Sequence, residues 1–325
     1  MAPPRQLLIM YGSQTGTAQA VAERIGREAK RYHFDTKVKP MNDYQPFEQL
    51  GQESLTVFVC ATTGQGDQPD NMMKFWRSLL KRTLPKDFLN GYNFAVLGLG
   101  DSGYAQFNYA AKRLNRRLSQ LGGTPVVNVG LADDQHDLGQ DFVIDPWVSG
   151  FWNKALQMYP LPPGLNPISS DVLPPPKYKL QFDNIETEND TNHDNVEGFD
   201  SQNPFYATLM SNDRVTHEDH FQDTRLVELK ISDQVTYCPG DVCLVQPTNS
   251  KQTVTKFLEL MAHLDPDKKF SLLQNDENIE LPPKSVLPNM TTSLRYVKKC
   301  NNCPKNDYLF GLQKGSICSQ ISKLG

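Results

Sequence analysis

Three kinds of feature are scarce in this sequence, and each scarcity excludes a class of protein. Only six of the 325 residues are cysteine, mostly in apolar contexts, which favours a reducing compartment over a disulfide framework. The net charge of -4 gives no bulk attraction to nucleic acid or to a membrane surface. No apolar run reaches the length of a signal sequence or a membrane span, and residues 7–11 (LLIMY) are the longest near the start. We therefore expect a soluble, cytoplasmic protein without a nucleic-acid or membrane partner.

The first 158 residues alternate apolar runs with amphipathic stretches. Predicted strands cover residues 6–11, 35–41, 54–62, 92–100 and 124–132. Predicted helices cover residues 17–32, 70–82, 106–123 and 140–157. The last three strands are almost continuously apolar, as in a parallel sheet that is buried on both faces. The pattern predicts an α/β domain, a flavodoxin-like doubly wound parallel five-stranded sheet of order 2-1-3-4-5. Its ligand crevice would lie outside the carboxyl ends of strands 1 and 3.

The rest of the chain divides by composition. Residues 159–176 form a Pro-rich linker, and residues 184–204 are polar and acidic, which is typical of a mobile loop. Short alternating runs at residues 204–216, 223–232 and 237–247 predict strands of a partial antiparallel β-barrel, followed by a helical insertion at 253–264. Residues 298–325 show neither the strand period nor the helix period, so we predict no packed element there. A half barrel exposes unpaired strand edges.

The loop after the first strand, Ser13-Gln14-Thr15-Gly16-Thr17, leads directly into a helix. It has no Lys of a Walker A loop, and its glycines do not fit G-x-G-x-x-G. A row of hydroxyls and backbone N–H groups at a helix N-terminus suits one terminal phosphate, as in a mononucleotide. An ordinary helix cap at Ser13 or Thr15 explains the same residues equally well.

Three further loops follow predicted strands and would reach the same sheet edge, at residues 61–71, 97–108 and 131–139. The loop at 97–108 carries one aromatic residue, Tyr104, whose ring can stack on a flat heterocycle. Packing of Tyr104 on its own helix is the structural alternative. The loop at 131–139 carries Asp133 and Asp134, which can equally be caps of the next helix.

Four segments together resemble the FMN-binding domain of the diflavin reductases: GSQTGTAQ, ATTGQGDQPDNMMKFW, LGLGDSGYAQFN and ADDQHDLG. Within that superfamily, CATTGQGD and DDQH resemble the NADPH-dependent diflavin oxidoreductases of cytosolic iron–sulfur protein assembly. They resemble cytochrome P450 reductase, nitric oxide synthase and methionine synthase reductase less. The resemblance is dense over residues 6–157. It is thin over 177–297, where YCPGDVCLVQP is similar to the start of the family's FAD domain.

The resemblance implies a role for each matching residue. The FMN phosphate would be held by Ser13, Gln14, Thr15, Gly16, Thr17 and Ala18. One side of the isoalloxazine would face Ala61, Thr62, Thr63 and Gly64. The other side would face Leu99, Gly100, Asp101, Ser102, Gly103, Tyr104, Ala105, Gln106, Phe107 and Asn108, with Tyr104 as the stacking ring. Asp134 would lie near the flavin edge.

Two positions depart from the family pattern. Several relatives carry an aromatic residue where Thr63 stands, so we expect one stacked face rather than two. Gly103 replaces a common hydroxyl residue, which would loosen its loop. Six acidic residues flank the expected site: Asp67, Asp70, Asp101, Asp133, Asp134 and Asp137. Their charge would disfavour an anionic reduced flavin and steer a basic partner, although a merely solvated rim is the equal alternative.

The family resemblance implies an electron path from NADPH to FAD to FMN, and then one electron at a time to an iron–sulfur protein, anamorsin. The main FAD and NADPH motifs of the family, an Arg-x-[Tyr/Phe]-Ser strand and a following NADP domain, are not found here. We therefore expect residues 177–297 to be the N-terminal part of a FAD-binding domain, followed by an off-pattern tail at 298–325. The chain would be a truncated form that binds FMN without oxidising NADPH alone.

Other functions remain open on the residues themselves. A chain with the docking surface but no reductase could serve as a partner-binding module. A phosphatase or kinase-like domain would need a nucleophilic Cys in an anion loop or a Walker Lys, and neither is present. Cys300 and Cys303 form a lone C-x-x-C, which is weak evidence for a metal, so we predict no metal site.

Overall fold

The computed structural model of the protein describes residues 5–182, 205–231, 233, 235–238, 242–246, 251–261, 269–279, 281, 292–293 and 307–313. The chain forms two compact units. The first contains Met1–Pro175 together with Asp276–Ile279, and the second contains Pro176–Asn275 together with Glu280–Gly325. The domain bounds that composition suggests stay a prediction. The acidic stretch at 184–204 and the C-x-x-C pair lie outside the described residues.

The first unit is built on a parallel sheet. Its strands are β1 (Gln6–Gly12), β2 (Asp35–Pro40), β3 (Thr56–Ala61), β4 (Asn93–Gly100), β5 (Thr124–Pro125) and β6 (Gly130–Asp133). The strand order is β2-β1-β3-β4-β5, and β6 also pairs with β4. This confirms the flavodoxin-like order expected from the sequence. The almost wholly buried residues of β1, β3 and β4 explain why the three central strands read as continuous apolar runs.

The fifth predicted strand is wrong as one continuous element, because it forms two short strands. Phe94 pairs with Pro125, and Leu97 pairs with Gly130. Residues 126–129 therefore lie opposite only Ala95 and Val96 of β4, and they fall outside the paired register of the sheet. A bulge of this kind does not disturb the apolar pattern of TPVVNVGLA, so the pattern could not show it.

Four helices cover the two faces of the sheet: α1 (Thr17–Arg31), α2 (Met73–Leu79), α3 (Tyr109–Gln120) and α4 (Asp141–Met158). Short 3₁₀ segments lie at Met41–Asp43, Phe47–Gln52 and Asp70–Met72, so the helix predicted from residue 70 becomes α-helical only at Met73. One core joins α1 and α4 to the sheet, with Ile25 and Phe151 fully buried. The other core joins α2 and α3 to the opposite face. No helix in the described part of the chain is long and apolar enough to span a bilayer.

The Pro-rich segment does not run free of the first unit but lies along α1. The Arg31 guanidinium donates to the carbonyl oxygens of Ser169 and Val172, the latter at 2.8 Å. Arg27 donates to the Pro175 carbonyl at 2.9 Å, and the Ile168 N–H donates to the Arg31 carbonyl at 2.9 Å. Backbone carbonyls of a Pro-rich stretch have few intrasegment donors, so arginines of the helix supply them.

A four-residue segment from far along the chain completes the first unit. We call Asp276–Ile279 the β2 clamp. The Lys30 ammonium donates to the Asp276 carboxylate at 2.8 Å. The side-chain amide of Asn278 accepts from the Val38 N–H at 2.8 Å and donates to the Thr36 carbonyl at 3.2 Å. These two bonds reproduce, with one side chain, the pattern that a neighbouring strand would make with β2.

The second unit contains antiparallel strands, as expected. Its elements are β7 (Tyr178–Gln181), β8 (Phe205–Arg214), β9 (Arg225–Lys230), β10 (Val242–Gln246), α5 (Lys251–Leu260), β11 (Lys269–Gln274), β12 (Thr292–Ser293) and β13 (Asp307–Gln313). They form one sheet of order β10-β13-β8-β9 and another of order β12-β11-β7. The expectation of no packed element after residue 298 is wrong at β13, which pairs with β8 and β10. Its partners lie distant in sequence, so no local signal announces it.

Candidate functional site

Four loops extend from the carboxyl ends of neighbouring strands, at one edge of the parallel sheet. The first loop (13–16) follows β1, the second (62–69) follows β3, the third (101–108) follows β4 and the fourth (134–140) follows β6. Since β1, β3, β4 and β6 are paired side by side, their ends bring the loops together. Most of the predicted site residues lie on these loops.

The predicted residues differ in how much surface they offer. Exposed residues are Gln14, Thr15, Thr17, Gly64, Ser102, Gly103, Tyr104, Ala105, Gln106 and Asp134. Half-buried residues are Ser13, Gly16, Ala61, Thr62, Thr63, Gly100, Asp101 and Phe107. Buried residues are Ala18, Leu99 and Asn108. Ala18, Leu99 and Asn108 support the edge from the interior. A ligand can reach the exposed and half-buried residues.

The first loop leaves the start of α1 without a side-chain cap. The N-cap residue is Gly16, in the left-handed region with φ +96°, and no side chain bonds to the first-turn N–H groups. The Ser13 hydroxyl oxygen instead accepts the Gly16 N–H at 3.0 Å. The interpretation of Ser13 or Thr15 as an ordinary helix cap is therefore wrong. The positive end of the helix dipole lies beside the exposed hydroxyls of Thr15 and Thr17.

Two residues ahead of α2 hold the first loop in place. The Ser13 N–H donates to the Asn71 side-chain oxygen at 2.8 Å. The Gln14 amide donates to the Asp70 carboxylate at 3.1 Å and accepts the Asp70 N–H at 3.2 Å. Asp70 was predicted only as an acidic residue that flanks the site, and Asn71 was not predicted as a site residue. Their position after Pro69, at the start of a helical pattern, is the signal that marks them as turn residues.

The second loop is a tight turn that contacts the third. The Thr63 N–H donates to the Asp67 carbonyl at 3.0 Å, and the Asp67 N–H donates back at 2.8 Å. The Thr62 N–H donates to the Leu99 carbonyl at 3.1 Å. Gly66 has φ +94°, and a methyl group there would lie 2.8 Å from Cβ of Gln106. Only glycine permits this backbone and this approach of the two loops.

The third loop is closed by its own aspartate. The Asp101 carboxylate accepts the Gly103 N–H at 2.7 Å, and the Asp101 carbonyl accepts the Tyr104 N–H at 3.2 Å. The loosening expected from Gly103 in place of a hydroxyl residue stays a prediction. The Tyr104 side chain is 61% exposed, so the alternative of packing on its own helix is wrong. Its ring is available to a ligand.

Asn108 ends the third loop as a buried support. It is fully buried and has the left-handed backbone φ of 53°. Its side-chain amide donates to the Ala132 carbonyl at 2.9 Å, while its Oδ1 has no partner among the described residues. Methyl groups at Gly98 or Gly100 would lie within 3.0 Å of this side chain, so both glycines are needed beside it. Asn108 thus fixes the loop to β4 and β6.

The third and fourth loops are joined through Asp133, which was not among the predicted site residues. Its carboxylate accepts the N–H groups of Ser102 at 2.8 Å and Gln135 at 3.0 Å. The hydrogen bond from the Ser102 side chain, with these backbone bonds, lowers the pKa of Asp133. The Asp134 carboxylate accepts from the Gln140 amide at 3.0 Å. Because Gln140 is the N-cap of α4, the interpretation of Asp133 or Asp134 as that cap is wrong.

This edge of the sheet is acidic, and the thiol of Cys60 beside it is not nucleophilic. In the part of the chain that the structure describes, none of the six flanking aspartates forms an ion pair with a Lys or Arg. Cys60 at the end of β3 is fully buried, and burial raises the pKa of its thiol to about 12. A thiol in that state is not a nucleophile. The edge can bind and orient a ligand with neutral donors.

Comparison with known proteins bears on both units. Residues 9–147 match the family model for flavodoxin, and residues 197–310 match the model for the FAD binding domain. The second match continues past residue 297, so the expectation that the tail resembles nothing in the family is wrong up to residue 310. A solved structure, oxidised flavodoxin 1 from Bacillus cereus, is 21% identical with a TM-score of 0.39, and it covers 46% of this chain and 97% of its own.

Curated relatives extend the match across most of the chain. NADPH-dependent diflavin oxidoreductase 1 of Xenopus laevis is 46% identical over 291 residues, which is 86% of this chain and 48% of the relative. The Danio rerio protein of the same name is 47% identical, over 87% of this chain and 48% of the relative. That of Emericella nidulans is 40% identical, over 84% and 44%. The chain spans about half the length of the curated relatives that it matches.

Proposed function

Since this chain is a homologue of the NADPH-dependent diflavin oxidoreductases, we propose that it transfers electrons through FMN bound at its first unit. The observation that carries the proposal is the uncapped start of α1. It lies beside the exposed hydroxyls of Thr15 and Thr17, at the same sheet edge as the exposed Tyr104 ring. A phosphate and a flat ring on one molecule match these two features.

At the phosphate end, the chain supplies neutral donors rather than cations. Among the described residues no side chain caps the first-turn N–H groups of α1, and the hydroxyls of Thr15 and Thr17 are exposed beside them. Ser13 and Gln14 are already bonded to Asn71 and Asp70, so we assign them mainly to holding the loop open. The helix dipole then stabilises a dianionic phosphate without a metal or a lysine.

At the ring end, the chain offers one aromatic face. Tyr104 would stack on the ring from the third loop, where Asp101 and Asn108 hold the backbone. Ala61 at the end of β3 and residues 62–64 of the second loop would face the other side, and Thr63 gives that side no aromatic ring. A single stacked face contributes roughly 0.5–1.5 kcal/mol beyond the burial of its area. Asp134, on the neighbouring fourth loop, would lie near the edge of the ring.

When bound, FMN supplies chemistry that exchanges one or two electrons. The six flanking aspartates oppose negative charge on the bound group. They also attract a basic electron acceptor, and salt screens this attraction and shortens its range. The FAD-binding match at 197–310 supports a second flavin in the other unit. From the names of the relatives we infer NADPH as the source of the electrons. The family resemblance supports an iron–sulfur protein of the anamorsin type as the acceptor, in cytoplasmic iron–sulfur assembly.

Titration with FMN tests the site. We expect the purified chain to bind FMN, seen as a shifted flavin absorption band and quenched flavin fluorescence. Thr15→Val with Thr17→Val should raise the Kd for FMN at least about a hundredfold, because two hydroxyl bonds to a charged phosphate contribute about 1.5–3 kcal/mol each. Thr83→Val, an exposed threonine outside the loops, is the matched control and should leave the Kd unchanged. A chain that ignores FMN, or a double variant with wild-type affinity, contradicts the assignment.

A further inference from the structure

A strongly basic face covers the outside of α2 and α3. We call the following residues the α2–α3 basic face: Lys74, Arg77, Lys81, Arg82, Lys86, Lys112, Arg113, Arg116 and Arg117. Between residues 73 and 120 the only acidic residues are Asp87 and Asp101. Nine cations against two anions give a local surplus of seven positive charges, in a chain whose net charge is -4. Lys112 donates to the Phe107 carbonyl of the third loop at 2.7 Å, and the other eight side chains make no hydrogen bond to the four loops of the proposed site among the described residues.

Two contacts bring the basic residues of α3 against α2. Arg117 on α3 donates through Nε to the Leu79 carbonyl of α2 at 2.8 Å. The Arg113 guanidinium lies 5.0 Å from the ring centroid of Trp76 on α2. Residues three or four apart on a helix share a side, so Lys74 with Arg77, and Arg113 with Arg116, project as neighbours.

These cations are not neutralised within the described residues, where none of the nine lies within ion-pair distance of a carboxylate. Lys112 and Arg116, like Arg113 and Arg117, are like charges at i,i+4, an arrangement that destabilises a helix. Lys74, Arg77, Lys81 and Arg116 are exposed. An anionic partner that binds to this surface would neutralise the cations and relieve their mutual repulsion.

We propose that the α2–α3 basic face is a docking site for a short, extended acidic segment of a partner protein. Helices of 7 and 12 residues extend over about 10 and 18 Å, which suits a short peptide. Exposed Met73, Leu80 and Tyr109 lie among the cations and can pack on peptide side chains. A longer polyanion, such as nucleic acid or an anionic bilayer, would extend past the face into a net-negative molecule.

Binding of a labelled synthetic peptide of alternating Glu and Ser to the full chain, followed by fluorescence anisotropy, tests this site. We expect binding that weakens as salt is raised, and no binding of the matching Gln-Ser peptide. The variant K74Q/R77Q/R116Q should weaken the peptide roughly tenfold, since each exposed pair contributes a few tenths of a kcal/mol or more. The matched control K37Q/K39Q/K154Q removes the same charge from other surfaces and should change the affinity less than about twofold.

Three results would overturn the proposal: no binding of the acidic peptide, equal loss in both triple variants, or tighter binding of single-stranded DNA or phosphatidylserine vesicles. Circular dichroism of each variant shows whether its fold is retained, and Lys74→Glu alone repeats the test with a smaller change. FMN loading is measured separately on the same samples. A chain that binds FMN but not the peptide contradicts only the docking site, and the reverse result contradicts only the proposed function.

Discussion

At the scale of single residues, two loops of the site contain a glycine with a left-handed backbone. Gly66 combines a left-handed φ of +94° with a close approach to Gln106 on the third loop. Gly139 on the fourth loop is also left-handed, with φ +73°, but a methyl group there would meet no atom within 4 Å. The two glycines therefore separate the cost of the backbone conformation from the cost of a clash.

Gly66→Ala should destabilise the first unit by more than Gly139→Ala does. The left-handed backbone costs an alanine roughly 1 kcal/mol at either position, and the contact with Gln106 adds to this cost at Gly66 alone. Urea unfolding followed by tryptophan fluorescence measures both variants, because all three tryptophans (Trp76, Trp147 and Trp152) lie in the first unit. Gly66→Ala should also raise the Kd for FMN. Equal free energies of unfolding for the two variants would show that the loops have room to separate.

Residues that hold the loops were harder to predict from sequence than residues on their surface. Thr15, Thr17 and Tyr104 stand out locally as hydroxyl or aromatic residues in small-residue loops after apolar strands. Asn71 and Asp133 act on backbone atoms of other loops, 58 and 31 residues away in sequence. Nothing in a local pattern reports such a partner. The left-handed backbone of Asn108 is likewise visible only in three dimensions.

At the scale of elements, two helices on the same face of the sheet, α1 and α4, each contain a glycine, and the surroundings of the two glycines differ. Gly26 in α1 faces the sheet so closely that a methyl group would lie 2.7 Å from Cγ2 of Val38. Gly150 in α4 has nothing within 4 Å of the same position. Both are glycines inside a helix, where alanine is intrinsically favoured.

Gly150→Ala should stabilise the first unit by about 0.5–1 kcal/mol, because alanine loses less conformational entropy in a helix than glycine does. Gly26→Ala has the same intrinsic gain, but the contact with Val38 should turn it into a net loss. The midpoints of urea unfolding for the two variants should therefore move in opposite directions. A shift of both midpoints in one direction would mean that helix propensity or packing alone decides the outcome.

Elements with their own periodicity were predictable, and elements defined by distant partners were not. The central strands and the long helices have apolar periods that fix their type. The split of the fifth strand depends on its register with β4, since Pro125 and Gly130 pair with residues that are closer together in sequence. β13 depends on β8 and β10, which precede it by many residues. Sequence pattern alone contains no information on such pairings.

At the scale of the whole molecule, the first unit is not one continuous stretch of chain. The β2 clamp at Asp276–Ile279 belongs to it, although composition predicts its end near residue 158. Burial by itself raises the pKa of Asp276, but the hydrogen bonds from Lys30 and Asn278 outweigh burial, and the pKa lies below its ordinary value. The charged form of Asp276 therefore stabilises the folded unit.

Asp276→Asn should lower the free energy of unfolding by about 1 kcal/mol at neutral pH. Because the folded pKa is depressed, the contribution of Asp276 is present above its unfolded pKa of about 3.9 and is lost as the pH falls through the folded value. The wild type and the variant should thus converge below about pH 4. Urea unfolding across the acid range measures this difference. Asp35→Asn, on β2 and without an ion pair among the described residues, is the control. A gap that is constant with pH would contradict the ion pair as its source.

The amide of Asn278 has a consequence for self-association. An outer strand with free N–H and carbonyl groups invites a strand from another molecule, which is how sheets grow into aggregates. On β2 the Val38 N–H and the Thr36 carbonyl are already hydrogen-bonded to the Asn278 side chain. A side chain offers no backbone groups to which a strand of another molecule could be added. A fragment that stops at residue 175 would lack Asn278, and its copies could join edge to edge through β2.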